Sequence, residues 1–380
     1  MLTYKRKLKL TKSQEQRICS WIGTCRVVYN MGLEIKIAAY KNKQINVSCY
    51  DLSKQLPSIK DIDWVADVPS QSLQNSLDRL DLAYKAFFRT YKSGGGFPKF
   101  KSKKEYKSIL FKSAELKQNN KIKLPKIGEL NFFKDKSPII GKIKTAQIVK
   151  ELTGFFICIV CDGVSKNISN PNESQVIGLD MGVAHLAIDS NGNFIENPKH
   201  FKRYEDRLRI ENRSLSRKNK RSNRWKKQVK KLSLLHHKIA NIRKDFLHKE
   251  STEIAKKYHT VYLEDLNIKN MTKRAKPKKD EEGNFIKNGQ AAKSGLNKSI
   301  IDCAWGTFRG MLEYKTNVFA VDPKYTSQTC NECETKNAKN RISRSEFVCQ
   351  SCGHISHADV NAAKNILSKG ILLSIANVRQ

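Results

Sequence analysis

Two Cys-x-x-Cys pairs near the C-terminus, Cys330/Cys333 and Cys349/Cys352, constrain this chain more than any other feature. Their C-x2-C-x15-C-x2-C spacing matches a structural zinc ribbon, in which each pair sits on a tight knuckle aiming both sulfurs at one Zn2+. The residues between the knuckles must then form a hairpin that closes the tetrahedron. Free or disulfide-bonded cysteines are the alternative, and they have no need of this spacing. Asp359 follows the second knuckle at the mouth of a short apolar helix. A carboxylate placed there invites a search for partners earlier in the chain.

Charge narrows the class of partner. Lysine and arginine number 72 against 36 acids, for a formal charge of +36. So one-sided a balance points to a polyanion, with nucleic acid the leading candidate. No apolar run approaches a bilayer span, and MLTYKRKLKL lacks the apolar core of a signal peptide. The expectation is an intracellular protein whose cysteines stay reduced. With 380 residues, 39% of them hydrophobic, the chain has material for two or three folded units.

Tyr4–Leu10 alternates basic with apolar or aromatic residues and reads as a strand. Thr11 and Gln14 form a capping box, and Ile18, Trp21, Ile22, Cys25, Val28 and Tyr29 make the helical stripe behind it. A short helix ending at Pro57 and a longer one from Pro69 follow. The longer helix carries Leu73, Leu77, Leu80, Tyr84, Phe87, Phe88 and Tyr91 on one side and stops at Gly94-Gly95-Gly96. Next, FPKFKSKK places Phe97 and Phe100 among Lys99, Lys101, Lys103 and Lys104; this suits base stacking with phosphate neutralisation, or equally a solvated loop beside a buried ring. Residues 109–162 read as strands of a small antiparallel barrel or sheet that Tyr4–Leu10 could join. Cys158 and Cys161 fall on opposite faces of one of these strands and are packing residues rather than ligands. SKNISNPNES, at 165–174, is a linker by composition.

A new unit opens at Gln175 with a three-strand meander, and Asp180 lies near the end of its first strand. Residues 199–276 contain neither Gly nor Pro, which favours one or two long helices. Trp225, Val229, Leu232, Leu235, Ile239, Ile242 and Phe246 supply the helical period, and Arg217, Arg221 and Arg224 belong to a face crowded with cations. A run this one-signed repels itself unless a polyanion lies against it. Thr260–Leu266 reads as a buried strand, and 273–298 as a polar, Gly-rich mobile loop. A helix bearing Ile301, Trp305, Phe308 and Leu312 on its stripe, then a strand NVFAVD, lead into the ribbon.

Three acids mark the elements of this second unit: Asp180, Glu264 and Asp359. Neighbouring carboxylates raise each other's pKa unless a cation neutralises them. Two hard divalent cations held about 3.5–4 Å apart by such acids would make a phosphodiester-cleaving site. The order of strands and acids fits a ribonuclease H-like fold. Pattern alone leaves Asp265, Asp322 and Asp189 as competitors, because alternation does not say which of Glu264 and Asp265 faces the site.

Several stretches carry a family resemblance: GFPKFK at 96–101, IGLDMG at 177–182, RKDFLHK at 243–249, LEDL at 263–266, YTSQTCNEC at 325–333, and CGH followed by DVNAAKNI up to 366. In this order they resemble TnpB (OrfB), the transposon-encoded RNA-guided nucleases related to the type V CRISPR effectors. The resemblance implies an α+β multidomain protein. A wedge β-barrel (1–10 and 93–165) would be interrupted by a helical recognition domain (11–92) and followed by a linker (166–174). A RuvC nuclease domain (175–325 and 354–380) would carry the zinc ribbon at 326–353. It places Asp180, Glu264 and Asp359 at the catalytic, Mg2+-holding positions. It also implies cleavage of double-stranded DNA chosen by a guide RNA from the transposon end, beside a short motif, by a monomer with one RNA. Lys99, Lys101, Arg217, Arg221 and Arg224 are the candidate nucleic-acid contacts. One position departs from the family: an acid often stands two residues before the last catalytic Asp, and here it is His357. A guided DNA-binding regulator without cleavage and a metal-dependent transposase are the alternatives.

Overall fold

The computed structural model describes residues 2–135, 138–163, 172 and 174–378. The chain divides into two compact units, Met1–Ser165 and Lys166–Gln380. The expected linker at 166–174 lies outside the described residues except for 172 and 174. No helix among the described residues is long and apolar enough to cross a membrane.

The first unit begins with strand β1 (Leu2–Lys9), then helices α1 (Lys12–Lys43), α2 (Cys49–Lys54), α3 (Asp63–Ala66) and α4 (Ser70–Thr90). Six strands follow: β2 (Ser108–Phe111), β3 (Glu115–Lys117), β4 (Lys121–Leu124), β5 (Gly128–Phe132), β6 (Lys142–Glu151) and β7 (Gly154–Asp162). The Thr11 hydroxyl accepts from the Gln14 amide and the Gln14 side chain accepts from the Thr11 amide, so both bonds of the capping box start α1. The seven strands pair in the order β2-β6-β7-β1-β5-β4-β3. Residues 2–7 of β1 pair with β7, and its last two residues turn to β5. Alternation along β7 buries Phe155, Ile157, Ile159 and Cys161, leaving Cys158 on the other face. Trp21 on α1 is fully buried, its ring 6.3 Å from Phe111 on β2, and a single apolar core runs from helices to sheet. On α4 the apolar side is only half covered. Leu73, Leu77 and Leu80 are buried, but Phe88 and Tyr91 stand 63% and 52% exposed.

In the second unit β8 (Val176–Asp180), β9 (His185–Asp189) and β10 (Phe194–Glu196) form the meander, followed by α5 (His200–Ser216) and α6 (Asn223–Lys257). Then come β11 (Thr260–Glu264), α7 (Ile268–Met271), β12 (Lys278–Lys279), β13 (Phe285–Ile286), α8 (Gln290–Cys303), α9 (Trp305–Glu313) and β14 (Asn317–Val321). The hairpin β15 (Glu346–Val348) and β16 (Ile355–His357) leads into α10 (Ala358–Val378). The sheet order is β10-β9-β8-β11-β14, with β11 parallel to both β8 and β14. The interior strand β11, TVYLE, is buried over its first four residues, which explains an apolar run without alternation. The RKDFLHK stretch is structural here. Arg243 on α6 grips Asp302 at 2.6 and 3.2 Å, and the other Asp302 oxygen accepts from the Phe201 amide at the start of α5.

Two expectations fail. Residues 273–298 are not a plain loop: they hold the β12–β13 hairpin and the first nine residues of α8. Nor does Ile301 share a stripe with Trp305. Ala304 adopts a left-handed conformation (φ 53°) that ends α8 and starts α9 in a new direction, so Ile300 is buried and Ile301 is 58% exposed.

Gly178 sets how closely α10 approaches β8. A β-carbon there would lie 2.3 Å from the Ala363 carbonyl oxygen and 2.7 Å from the Leu367 amide nitrogen, both backbone atoms that cannot yield. Gly178→Ala is expected to cost about 3 kcal/mol, the upper end for overpacking, because helix and strand must separate. Urea unfolding of the variant checks this; a loss under about 0.5 kcal/mol would mean the helix is free to shift.

Candidate active site

Asp180 ends β8 and Glu264 ends β11. The register pairs Leu179 with Leu263, so the two acids come next to each other at the same end of neighbouring parallel strands. Asp359, the second residue of α10, comes to that end because α10 packs across β8. Burial, with the Glu264 and Asp359 carboxylates as neighbours, pushes the Asp180 carboxyl up to about 7, and Arg341 is the cation opposing that rise. Glu264 is also raised by burial, while the Thr326 hydroxyl, donating at 2.6 Å, and Lys369 pull the other way. One Arg341 nitrogen donates both to Asp359 Oδ1 at 2.8 Å and to the Arg344 carbonyl at 2.9 Å. His357 Nδ1 accepts from the Asp359 amide at 3.3 Å. The three carboxylates are electrostatic neighbours, but their oxygens are not all drawn within 4.8 Å of one another as the cysteine sulfurs are.

The competing acids are engaged elsewhere. Asp265 faces outward to Arg309 at 2.9 Å. Asp189 accepts from the Asn191 and Asn193 amides and the Asn193 side chain, holding the β9–β10 turn. Asp322 accepts from the Lys324 amide.

The four cysteines converge. Cys330 and Cys352 sulfurs lie 3.8 Å apart, Cys333 and Cys349 3.6 Å, and all four lie within 4.8 Å of one another. A tetrahedron with Zn–S bonds of about 2.3 Å has edges of roughly 3.8 Å, so the donor set fits one Zn2+. The Ser351 and Cys352 amides point at Cys349 Sγ from 3.4 and 3.5 Å and hold that thiol below its ordinary range, as a thiolate ligand needs.

Sequence reasoning missed the residues that tie the two centres together. Asn361 Nδ2 donates to the Thr329 carbonyl, its Oδ1 accepts from the Asn331 amide, and Asn365 Nδ2 donates to the Thr326 and Thr329 carbonyls. Both asparagines are buried on α10, one turn apart. Two amides at i,i+4 on the inner face of an apolar helix were the available signal, because buried amides require partners. Thr326 and Arg341 carried no such signal, being defined only by what they touch. The candidate nucleic-acid residues lie on other elements than the acids. Lys99 is exposed; the Lys101 backbone is pinned in both directions by the Asn30 side chain. Arg217, Arg221 and Arg224 are exposed around the α5–α6 turn, on a hairpin with its own small core of Leu208, Leu235 and Ile239.

Asp180 carries a pH signature. Its folded pKa of about 7 lies above the roughly 3.9 of an unfolded aspartate, so the folded state holds the proton more tightly. Stability from this group is complete below about pH 4 and is lost as pH rises through about 7. In the presence of a chelator, Asp180→Asn is expected to melt several degrees above wild type at pH 8 and level with it at pH 4.5; equal Tm at both would remove the burial argument. For the ribbon, metal analysis of the wild type is expected to give one zinc per chain. Cys349→Ser should lose it together with the folding of that segment, because structural zinc contributes on the order of 10–16 kcal/mol in small peptides.

Comparison with known proteins supplies the family. Three family models match, described as "Probable transposase" (OrfB_IS605) over residues 159–275, "Cas12f1-like, TNB domain" over 305–366, and "Helix-turn-helix domain" over 1–44. In the last of these stretches the structure has one strand and one uninterrupted helix, α1. The chain is 36% identical over 377 residues to the "Putative RNA-guided DNA endonuclease InsQ" of Escherichia coli (strain K12), covering 97% of this chain and 92% of that one. A "Putative RNA-guided DNA endonuclease" of Streptomyces pristinaespiralis is 30% identical, with coverage of 96% and 88%. Among solved structures, the fold is similar to one titled "Cryo-EM structure of the Cas12f1-sgRNA-target DNA complex", with a TM-score of 0.57 at 15% identity over 94% of this chain and 83% of that one. It is also similar to the "mini-RNA-guided endonuclease CRISPR-Cas_phi3", with a TM-score of 0.52 at 11% identity over 97% and 92%. Likeness over nearly the whole length to relatives at this level of identity means that the chain belongs to the TnpB (OrfB) family.

Proposed function

We propose that this protein is an RNA-guided DNA endonuclease that hydrolyses phosphodiester bonds with Mg2+ held by Asp180, Glu264 and Asp359. What carries this reading is the arrival of three acids, from segments up to 179 positions apart, at one end of a sheet in a chain whose relatives are named as RNA-guided DNA endonucleases. The raised Asp180 carboxyl supports it, because a divalent cation is the natural counter-charge for such a cluster. When bound, such cations lower the pKa of an attacking water and stabilise the leaving 3′-oxygen. The chain's own part is to fix the carboxylates. The paired strand ends set two of them, the Thr326 hydroxyl orients Glu264, and Arg341 neutralises Asp359.

The sheet order, a meander followed by two strands parallel to the first, supports a RuvC assignment for 175–325 and 354–380, with 326–353 as the zinc insertion. By the same proposal, 1–10 and 93–165 form the wedge and 11–92 the recognition part. A guide RNA and a double-stranded DNA target are the partners, and the setting is a prokaryotic cytoplasm. Lys99, Lys101, Arg217, Arg221 and Arg224 contact phosphates, as the +36 charge favours. The "Probable transposase" description of the family model keeps a second reading open, DNA strand transfer without RNA.

Protein purified at low salt is expected to carry RNA that directs cutting of a matching DNA target. Asp180→Ala, Glu264→Ala and Asp359→Ala should each abolish cutting while RNA and DNA binding remain. A nuclease-treated sample with unchanged absorbance ratio and no RNA on a gel would sink the guided reading. Strand joining in an RNA-free assay would favour the transposase.

A further inference from the structure

A cavity of about 440 Å3 opens between the start of α5 and the face of α8, with Arg344 of the ribbon at its edge. Its two acids are already matched. Glu205 pairs with Lys298, and Asp302 is held by Arg243 and by the Phe201 amide. Lys199, Lys202 and Arg344 keep exposed cationic heads with no partner among the described residues. The cavity therefore presents three uncompensated positive charges around a space large enough for one nucleotide unit. Lys199 also sits in the left-handed region, at φ 48°, where asparagine or glycine would be accommodated more readily.

The cavity wall is joined to the acid cluster by short bonds. The Arg344 carbonyl accepts from the same Arg341 nitrogen that holds Asp359. Val183, which lines the cavity three residues beyond Asp180, has its carbonyl fixed by the Asn197 side chain, and the Gly182 carbonyl is fixed by the Trp305 indole. A cationic pocket so tied to a phosphodiester-cleaving site is placed to take another phosphate of the same strand.

We propose that this cavity binds a phosphate of the DNA strand being cut, a few nucleotides from the scissile bond, with Lys199, Lys202 and Arg344 as positioning residues. The inference rests on the endonuclease reading. It explains how a flexible single strand is held in line with the acids: one anchored phosphate fixes the position of the next ones along the strand.

The test pairs residue changes with neutralised phosphates, using the full chain with its guide RNA. Methylphosphonates are placed singly along the target strand on either side of the cut. In wild type, one position within a few nucleotides of the cut is expected to raise KM about tenfold with kcat retained. In Lys199→Ala/Lys202→Ala, and in Arg344→Ala, which keeps the carbonyl that Arg341 needs, KM is already raised and the same methylphosphonate adds nothing. Losing the contact to this one phosphate should also lower the salt slope of strand binding by about 0.7. Equal sensitivity to every methylphosphonate in wild type and variants would overturn the proposal. The same comparison is run as an affinity measurement in Asp180→Ala. A wild type that cuts nothing would refute the endonuclease reading, while the affinity arm still decides whether this cavity holds a phosphate.

Discussion

The close packing of α10 against β8 at Gly178 is the contact on which the second unit depends. Backbone meets backbone there with no side chain between, so helix and strand behave as one rigid piece. That piece carries two of the three acids, Asp180 at the strand end and Asp359 in the first turn of the helix. It also carries the asparagines that suspend the segment leading into the first knuckle. Farther along, Gly370 leaves room for the Tyr262 ring, seating the helix on a side chain of β11, the strand that supplies Glu264. Three acids distant in sequence thus share a frame set by close packing rather than by attraction.

Attraction could not have set it. Like charges at this depth oppose assembly, and the rise of the Asp180 carboxyl shows the site working against the stability of the unit that houses it. The neighbours limit the penalty locally: Arg341 lies on Asp359, and Thr326 donates to Glu264. Both come from the segment that bears the cysteines. The ribbon therefore does more than fold around its own sulfurs, since it delivers a cation and a hydroxyl to the acid cluster.

Much of this was legible in the chain. Cysteine spacing announced the ribbon because tetrahedral geometry leaves few ways to bring four sulfurs together. The capping box at Thr11 and the apolar stripes of α1 and α6 were visible because they depend on local periodicity. What stayed hidden depends on contacts across the fold. Glu264 and Asp265 could not be ranked until the pleat of β11 and the position of Arg309 were known. Ile301 fell off its stripe because one residue, Ala304, turned left-handed and reset the phase. Residues 273–298 looked structureless by composition, yet a short hairpin and the first nine residues of α8 give them order.

The division of β1 between two partners has a consequence for how the first unit comes into being. Leu2–Lys7 pairs with residues at the far end of that unit, roughly 150 positions later, while Leu8 and Lys9 pair with β5. On a ribosome adding about 5–20 residues per second, β1 must wait roughly 8–30 s for its main partner. Through that interval Tyr4 and the basic residues around it have no sheet to join. A strand with lysine at every second position from Lys5 to Lys9 on its open face is poorly suited to pairing with another copy of itself. The same charges that suit the finished protein to a polyanion keep its unfinished edge soluble.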